Sequence, residues 1–243
     1  MPVMVVTGAS AGIGRAVAEA ALAAGWKVAC LARRAAPLAE VAARGDGLAL
    51  ACDVADRAAV EAAFAQTVAR FGRIDVMFNN AGVFPQGALI DEMDPDDWTL
   101  TRAVNLDGMV WCARAAFAQM RAQAPQGGRI INNGSIAGQV PRPRSLAYTV
   151  TKHAINGLTK QLALDGRDFG IACGQIDVGN ARTDLAARME AGVLQADGRI
   201  RPEPMMEVGD VAAAVLHMAS LPPGANVLNM TVMATAMPFV GRG

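Results

Sequence analysis

Tyr148 and Lys152 are the two residues whose types and spacing most directly indicate chemistry in this sequence. They are four positions apart, so a helix would place both side chains on one face, one turn apart. A phenol has a pKa of about 10 and exchanges protons poorly near neutral pH, but a neighbouring ammonium group favours the phenolate and lowers that pKa. The pair is therefore a candidate acid/base catalyst, with an ordinary helix surface as the alternative. Tyr148 is the only tyrosine in the chain, so no other phenol can take this role.

Three glycines follow the first apolar run of the chain, Val3–Thr7, which is typical of a buried strand. Gly8, Gly12 and Gly14 come where this strand would lead into the first helix. Backbone N–H groups at such a turn, together with the positive end of the helix dipole, bind pyrophosphate, and glycine lets a ligand approach closely. The spacing matches neither a Walker A loop nor the GxGxxG fingerprint. A nucleotide site is predicted, with a ligand-free turn as the alternative.

Arg33 and Arg34 follow the second predicted strand, where dinucleotide-binding proteins hold the adenosine ribose. NAD-binding proteins carry an acidic residue there, whereas a guanidinium suits the 2′-phosphate of NADP in charge and geometry. The two arginines therefore favour NADP, with NAD as the other possible cofactor and a solvated helix start as the non-functional alternative. Asp53 and Val54, at the end of the third predicted strand, would border the adenine, although a strand-end Asp also has purely structural uses.

Short apolar runs alternate with helical patterns along all 243 residues. This alternation predicts an α/β fold, one Rossmann-like domain over 1–243 with a doubly wound parallel sheet of about seven strands and helices on both faces. Residues 184–207 are the least regular segment, which indicates a substrate lid or loop. The predicted strands are 3–7, 27–32, 48–54, 74–79, 129–133, 171–178 and 225–230. The predicted helices are 15–24, 37–44, 57–71, 95–123 with an interruption at Asn105 or Gly108, 145–168, 184–192 and 208–220.

The composition argues against several classes of partner. Lys and Arg together number 22, as do Asp and Glu, so the formal net charge is zero and no basic excess indicates a nucleic acid or an anionic membrane surface. No apolar stretch reaches the ~18 residues of a membrane span, and the N-terminus shows no leader pattern. Two distant histidines predict no metal site, and four cysteines without a CxxC pair predict buried free thiols. Together these features indicate a soluble, cytoplasmic protein.

In their order along the chain, these segments resemble the motifs of the short-chain dehydrogenase/reductases in their single-domain form. The resemblance extends from Thr7 to about Thr183, and the C-terminal pattern fits as well. Each motif alone is weak or moderate, but the ordered set, with thirteen residues from Ser135 to Tyr148, is highly specific. The matching segments are Thr7-Gly8-x-x-x-Gly12-x-Gly14, Asp53-Val54, Asn79-Asn80-Ala81-Gly82, Asn105, Ser135, Tyr148-x-x-x-Lys152 and Gly179-x-x-x-Thr183.

The resemblance implies four catalytic residues. Tyr148 would exchange a proton with the substrate oxygen, Lys152 would lower the pKa of that phenol and hold the nicotinamide ribose, and Ser135 would hydrogen-bond the reacting oxygen. Asn105, at the helix interruption, would anchor a water molecule that relays protons to Lys152. Without the resemblance, Ser135 is interpreted as a helix cap and Asn105 as an ordinary helix residue. The implied cofactor-binding residues are Gly8, Ser10, Gly12, Ile13, Gly14, Arg33, Arg34, Asp53, Val54, Asn80, Ala81, Gly82, Tyr148, Lys152, Gly179 and Thr183.

These roles imply an oxidoreductase that transfers a hydride between NADP(H) and a small-molecule carbonyl or secondary alcohol. A 3-oxoacyl-thioester reductase and a non-catalytic nucleotide-binding regulator are the alternatives, and the resemblance implies a homodimer or homotetramer. Two positions depart from the family pattern, because Val178 replaces a proline and Ala11 replaces a basic residue that often accompanies NADP. Arg142 and Arg144, in the loop before Tyr148, could meet an acidic group of the substrate, but a solvated loop is the favoured interpretation.

Overall fold

A parallel β-sheet forms the centre of this computed structural model, which describes residues 1–183, 186 and 192–240. Its strands and two further short ones are β1 Val3–Thr7, β2 Lys27–Ala32, β3 Gly47–Ala51, β4 Val76–Asn79, β5 Gly128–Asn133, β6 Ile171–Val178, β7 Val193–Leu194, β8 Ile200–Arg201 and β9 Asn229–Val232. Within the described residues the sheet has seven strands in the order β3-β2-β1-β4-β5-β6-β9, and each adjacent pair is parallel. The predicted doubly wound fold is confirmed.

Helices cover both faces of this sheet. They are α1 Gly12–Ala23, α2 Ala35–Ala42, α3 Arg57–Phe71, α4 Pro95–Arg102, α5 Gly108–Ala122, α6 Leu146–Asp165 and α7 Val208–Ala219. Side chains alternate along β1, so that Met4 and Val6 pack with α1, α2 and α7, whereas Val3 and Val5 pack with α3 and α5. Burial on both faces explains the near-continuous apolar runs. Among the residues described, no helix is long and apolar enough to cross a membrane.

The chain changes direction across the sheet between β1 and β4. From β1 it proceeds through β2 to β3 on one side, and from β4 through β5 and β6 to β9 on the other. In open α/β sheets, ligands bind in the crevice outside the carboxyl ends of the strands at such a switch point. Thr7, Asn79 and Asn133 are the last residues of β1, β4 and β5, and all three are buried. Polar side chains therefore collect at the place where the topology predicts a site.

The long helix predicted over 95–123 is interrupted where the sequence indicates. Asp94 caps α4 by accepting a hydrogen bond from the Asp96 backbone N–H at 2.9 Å, and Pro95 occupies the first turn. A π-helical turn, Ala103–Asp107, separates α4 from α5 and contains Asn105. Such turns insert an extra residue into the helix and are frequent at functional sites. The interruption at Asn105 is confirmed.

In the first half of the chain, two predicted boundaries differ from the structure by three residues and several others by one or two. The third strand ends at Ala51 rather than at 54, because the Asp53 carboxylate accepts a hydrogen bond from the Ala55 backbone N–H at 3.0 Å and closes a turn. Helix α1 begins at Gly12 rather than at 15, so two of the three loop glycines already belong to its first turn. Gly12 and Gly14 therefore lie within the first turn of α1, whereas the sequence pattern placed them before the helix.

The C-terminal part differs more. The last strand is β9 Asn229–Val232 rather than 225–230, because the Ala225 backbone N–H is bonded to the Pro222 carbonyl in a turn. Within 184–207, strands β7 and β8 form an antiparallel hairpin that the sequence did not predict. The predicted helix 184–192 lies outside the described residues, apart from 186 and 192. The assignment of 184–207 as a lid stays a prediction.

All four cysteines are buried and unpaired, as predicted. Burial raises the pKa of the Cys30 thiol to about 12, so this side chain stays protonated near neutral pH. Burial, followed by the charges of Asp53 and Asp56, raises the pKa of Cys52 to about 11. These thiols act as small apolar groups that fill the core rather than as nucleophiles.

Substituting Gly14 tests how tightly the glycine loop is packed. An added Cβ would overlap the Gly8 carbonyl oxygen and lie 2.5 Å from Asn80 Nδ2. We therefore expect Gly14→Ala to lower the free energy of unfolding by about 1–3 kcal/mol. Gly157 lies exposed in α6 with nothing within 4 Å of an added Cβ, so Gly157→Ala should raise it by up to about 1 kcal/mol. Urea unfolding followed by circular dichroism measures both, and equal stability of the two variants would contradict the packing argument.

Candidate active site

The end of β1 is tied to the ends of β4 and β5 by polar side chains. The Thr7 hydroxyl accepts hydrogen bonds from the backbone N–H groups of Asn80 at 2.8 Å and Ala81 at 3.0 Å. Asn80 Nδ2 donates to the Thr7 carbonyl at 2.8 Å, and Asn80 Oδ1 accepts from Asn133 Nδ2 at 2.8 Å. Asn80 therefore bridges three strand ends, and these bonds anchor the start of the 79–82 segment at this edge of the sheet.

The glycine loop has the geometry of an anion site. Gly8 and Gly12 have φ values of +69° and +53°, in the left-handed region that favours glycine. Helix α1 begins at Gly12 without a side-chain cap and without an acidic residue in its first turn. Its first backbone N–H groups thus lack intrahelical partners, and the positive end of the helix dipole is not neutralised locally. The loop residues present fit a pyrophosphate group.

Two arginines line the β2 end of the same cavity, beside Ser10 of the glycine loop. Arg33 and Arg34 are exposed at the end of β2, and Arg34 Nη2 donates a hydrogen bond to Ser10 Oγ at 3.3 Å. Neither forms a salt bridge within the part of the chain that the structure describes. Asp53 also lines the cavity, but one of its carboxylate oxygens already accepts from Ala55. The positive charges of Arg33 and Arg34 are therefore available to a bound anion.

Lys152 is a buried cation. Helix α6 carries it beneath the cavity, where the residue is 3% exposed and its Nζ donates a hydrogen bond to the Asn133 carbonyl at 2.7 Å. The Nζ atom lies 5.5 Å from the centroid of the Tyr148 ring. Burial lowers the pKa of Lys152 to about 8, although the negative charge of Asp177 acts to raise it. The ammonium is mostly charged at pH 7 and loses its proton in mildly alkaline solution.

Tyr148 is half-buried one helical turn before Lys152, as the spacing predicts. Its ring packs edge-to-face against Phe84, with centroids 4.7 Å apart and an interplanar angle of 81°. Burial raises the pKa of Tyr148, a hydrogen bond with Ser135 and the charge of Arg142 lower it, and Asp177 raises it. The net effect in the free protein is a raised pKa. The lowered pKa that the resemblance implies is thus absent here, because loss of water outweighs the neighbouring charges.

Ser135 is positioned by a carboxylate that sequence reasoning missed. Asp177 is fully buried in β6, and its Oδ1 accepts from the Ser135 backbone N–H at 3.1 Å and from Gln175 Nε2 at 2.6 Å. Its Oδ2 accepts from Gln139 Nε2 at 2.6 Å and from Asn229 Nδ2 at 3.0 Å. Four N–H donors therefore satisfy both oxygens of this buried carboxylate. An acidic residue inside a predominantly apolar strand was the sequence signal that could have revealed it.

Asn105 has both ends of its side chain occupied. Its Oδ1 accepts from the Val83 backbone N–H at 2.7 Å, and its Nδ2 donates to the Val83 carbonyl at 2.8 Å. The residue is fully buried. This pair of bonds fixes the segment after β4 against the π-helical turn, so the side chain acts as a clamp on the cavity wall.

One cavity of about 480 Å³ brings nearly all the predicted residues together. Every predicted catalytic and cofactor-binding residue lines it except Asn105 and Gly14, both of which are buried behind its wall. Its volume lies within the range of small-molecule sites. Sequence reasoning missed several further lining residues, among them Phe84, Asn133 and Asn180, because each reaches the cavity through tertiary packing alone.

Comparison with known proteins agrees with this geometry. Residues 2–193 match the family model described as short chain dehydrogenase. The chain belongs to this family. It is 37% identical over 196 residues to a 3beta-hydroxysteroid dehydrogenase of Mediterraneibacter gnavus, covering 79% of this chain and 70% of the relative. It is 31% identical to a 3-oxoacyl-[acyl-carrier-protein] reductase of Synechocystis sp., covering 94% and 93%.

Solved structures of the short-chain dehydrogenase family share the fold. A 3-ketoacyl-(acyl-carrier-protein) reductase from Brucella melitensis, complexed with NADH, superimposes with a TM-score of 0.86 at 24% identity, covering 97% of this chain and 98% of that one. Levodione reductase superimposes with a TM-score of 0.84 at 25% identity, covering 96% of each. Family membership makes the chain an NAD(P)-dependent oxidoreductase, as the resemblance implied.

Replacing Lys152 tests the cost of burying its charge. Because burial lowers its pKa from 10.5 to about 8, keeping the ammonium charged costs the folded protein about 3 kcal/mol below pH 8. We expect Lys152→Met to raise the free energy of unfolding at pH 7 by about 1–3 kcal/mol, since the lost bond to Asn133 offsets part of the gain. The pKa of Lys152 is lower in the folded state than in the unfolded state. The stability gained by Lys152→Met should therefore shrink as pH rises from about 8 to about 10.5.

Urea unfolding between pH 7 and 10.5 measures this effect. Lys160→Met, at an exposed position of the same helix, is the control and should change stability by less than about 0.5 kcal/mol. A Lys152→Met variant that is less stable than wild type at pH 7 would show that the ammonium is a net stabilising group.

Proposed function

We propose that this protein is an NADP(H)-dependent carbonyl reductase or secondary-alcohol dehydrogenase in which Tyr148 is the proton donor and acceptor. The observation that carries the proposal is that Ser135, Tyr148 and Lys152 line one cavity with the glycine loop and with Arg33. That arrangement supports a dinucleotide along the cavity and a substrate oxygen between Ser135 and Tyr148. The family membership supports the reaction class.

The cavity residues fit NADP in charge and shape. We assign the pyrophosphate to the glycine loop and the N-terminus of α1, where backbone N–H groups lack partners. We assign the 2′-phosphate to Arg33 and Arg34, neither of which forms a salt bridge within the described residues. Lys152 would hold the nicotinamide ribose and Thr183 the carboxamide or pyrophosphate end. NAD is the alternative cofactor.

The mechanism follows from the protonation states of the buried groups. The nicotinamide, when bound, supplies or accepts the hydride. The raised pKa of Tyr148 keeps the phenol protonated near neutral pH, which is the state needed to protonate a carbonyl oxygen. Ser135 would hydrogen-bond the same oxygen and hold it toward the phenol, and Asp177 holds the Ser135 backbone. The charge of Lys152 would then stabilise the phenolate that remains.

Proton resupply would involve the main chain at Asn105. Because each polar end of its side chain is bonded to Val83, we assign the relay water to backbone atoms of the π-helical turn. The proposed role of Asn105 is therefore kept, with the side chain fixing the turn rather than binding the water.

Removing the phenol tests the mechanism. Tyr148→Phe should lower kcat/KM for ketone reduction by roughly a hundredfold to ten-thousandfold, since a positioned general acid contributes about that much. NADPH should still bind, as measured by its fluorescence. Phe84→Leu is the packing control, because it removes the ring contact but keeps the phenol, and it should lose far less. Unchanged turnover in Tyr148→Phe would refute the proposed acid/base role.

Reversing one charge tests the cofactor assignment. Arg33→Asp should lower the ratio of kcat/KM with NADPH to kcat/KM with NADH by about ten- to hundredfold, because a charge-assisted contact to the 2′-phosphate becomes a repulsion. Arg114→Asp makes the same change of charge on α5, at an exposed position outside the cavity, and should leave the ratio unchanged. An unchanged ratio in Arg33→Asp would refute the NADP assignment.

A second candidate function is reduction of 3-oxoacyl thioesters. It is favoured by the similarity to the Synechocystis reductase over 94% of this chain. Turnover of acetoacetyl thioesters well above that of simple ketones would establish it. Absence of NADPH oxidation with every carbonyl compound would instead favour the non-catalytic regulator. We also propose a cytoplasmic homodimer or homotetramer, and the half-exposed apolar residues Leu100 on α4 and Val150 on α6 are consistent with a contact surface there.

A further inference from the structure

Arg142 is largely shielded from solvent rather than solvated. It lies in the loop before α6, and its side chain is only 11% exposed, which overturns the solvated-loop interpretation for this residue but not for exposed Arg144. Its Nη2 donates to Glu203 Oε2 at 2.7 Å and to Asn180 Oδ1 at 3.1 Å. The Nη2 nitrogen of the guanidinium is therefore fully engaged, which leaves the other terminal nitrogen, Nη1, to be accounted for.

Glu203 balances the charge of Arg142. Its side chain is 1% exposed, and it accepts hydrogen bonds from Asn180 Nδ2 at 2.7 Å and from Gln195 Nε2 at 2.9 Å as well as from Arg142. Burial acts to raise the pKa of Glu203, but the hydrogen bonds from Arg142, Gln195 and Asn180 outweigh it and lower the pKa to about 2. The carboxylate is ionised under all working conditions, so the pair carries no net charge.

The other terminal nitrogen of Arg142 has no partner. Nη1 is buried and makes no hydrogen bond within the described part of the chain. The residue lines the same cavity as Ser135 and Tyr148, and its charge is among those that act on the pKa of Tyr148. A guanidinium nitrogen that is buried without an acceptor is costly and uncommon in native proteins. Because Arg142 lines this cavity, a molecule bound there can supply the missing acceptor.

We propose that Arg142 Nη1 is a substrate-recognition group that binds a second, uncharged oxygen of the substrate, so that hydroxyketones and diketones are the preferred class. This inference rests on the proposed ketone reductase activity. The second oxygen is uncharged because Glu203 already neutralises Arg142. A substrate carboxylate at Nη1 would place a second negative charge beside the buried Glu203 carboxylate, and the single charge of Arg142 can balance only one of the two.

The wild-type enzyme provides the first test, with NADPH and with NADH. The probes are cyclohexanone, the isomeric hydroxycyclohexanones and the isomeric oxocyclohexanecarboxylates, which share one ring and place the second group at different distances. We expect at least one hydroxycyclohexanone to exceed cyclohexanone in kcat/KM by about tenfold or more, the usual worth of a hydrogen bond to a charged group. No oxocyclohexanecarboxylate should exceed cyclohexanone in kcat/KM.

Two variants make the test specific to the guanidinium. The double variant Arg142→Met with Glu203→Gln removes both charges together, so no unbalanced ion is left buried. The ratio of kcat/KM for the best hydroxycyclohexanone to that for cyclohexanone should fall to about one in this variant. The matched control Glu203→Gln keeps the guanidinium but unbalances its charge, so its preference should move toward the carboxylates. Circular dichroism verifies folding, and the wild-type panel decides alone if neither variant folds.

The outcomes separate the inference from the proposed function. Turnover of cyclohexanone without preference for any hydroxycyclohexanone overturns the role of Arg142 and leaves the ketone reductase standing. A wild-type preference for a carboxylate isomer overturns the uncharged class. An unchanged ratio in the folded double variant overturns the assignment to Nη1. Absence of turnover with every ketone and both cofactors overturns the proposed function, and the inference with it.

Discussion

The buried charge of Lys152 is the constraint on which the rest of the site depends. An ammonium removed from water is strongly destabilising unless the protein replaces its hydration. Here the replacement is a carbonyl from the end of β5, at 2.7 Å, and the negative charge of Asp177 in β6. Three elements, β5, β6 and α6, must therefore keep their register for this one cation. Thr7 and Asn80 extend that register to the glycine loop through the polar ties between strand ends.

The features that the sequence could predict are those that depend on local pattern rather than on contacts between distant residues. The sheet, the helix layers and the Tyr148–Lys152 spacing depend on local periodicity, which a linear pattern contains. An interruption was predicted at Asn105 or Gly108, and the structure has a π-helical turn over Ala103–Asp107. Predicted strand boundaries were wrong where a side chain closes a turn, as the Asp53 carboxylate does after β3. The replacement of the family's proline by Val178 disturbs little, since Val178 lies within β6 in register with Val232.

The parts that could not be predicted are pairs of residues that meet only in the folded chain. Arg142 and Glu203 are 61 positions apart, and nothing local to either distinguishes a buried ion pair from two solvated charges. Asp177 reaches Ser135 across 42 positions. The clamp of Asn105 on Val83 requires the turn geometry before it can form. In each case the polar group is buried because a specific partner is present, and that partner is supplied by tertiary structure.

The distribution of compensated and uncompensated cations gives the cavity its polarity. At the proposed reacting end, Lys152 and Arg142 each have a buried carboxylate nearby, Asp177 and Glu203 respectively, so the charges of these two cations are already balanced. At the far end, Arg33 and Arg34 have no salt bridge to any described residue and are exposed. A cation attracts an anionic ligand strongly only when no carboxylate of the protein already balances its charge. In the proposed complex, an elongated ligand with an anionic group at one end would therefore be oriented by the cavity, with the uncharged reacting groups between Ser135 and Tyr148.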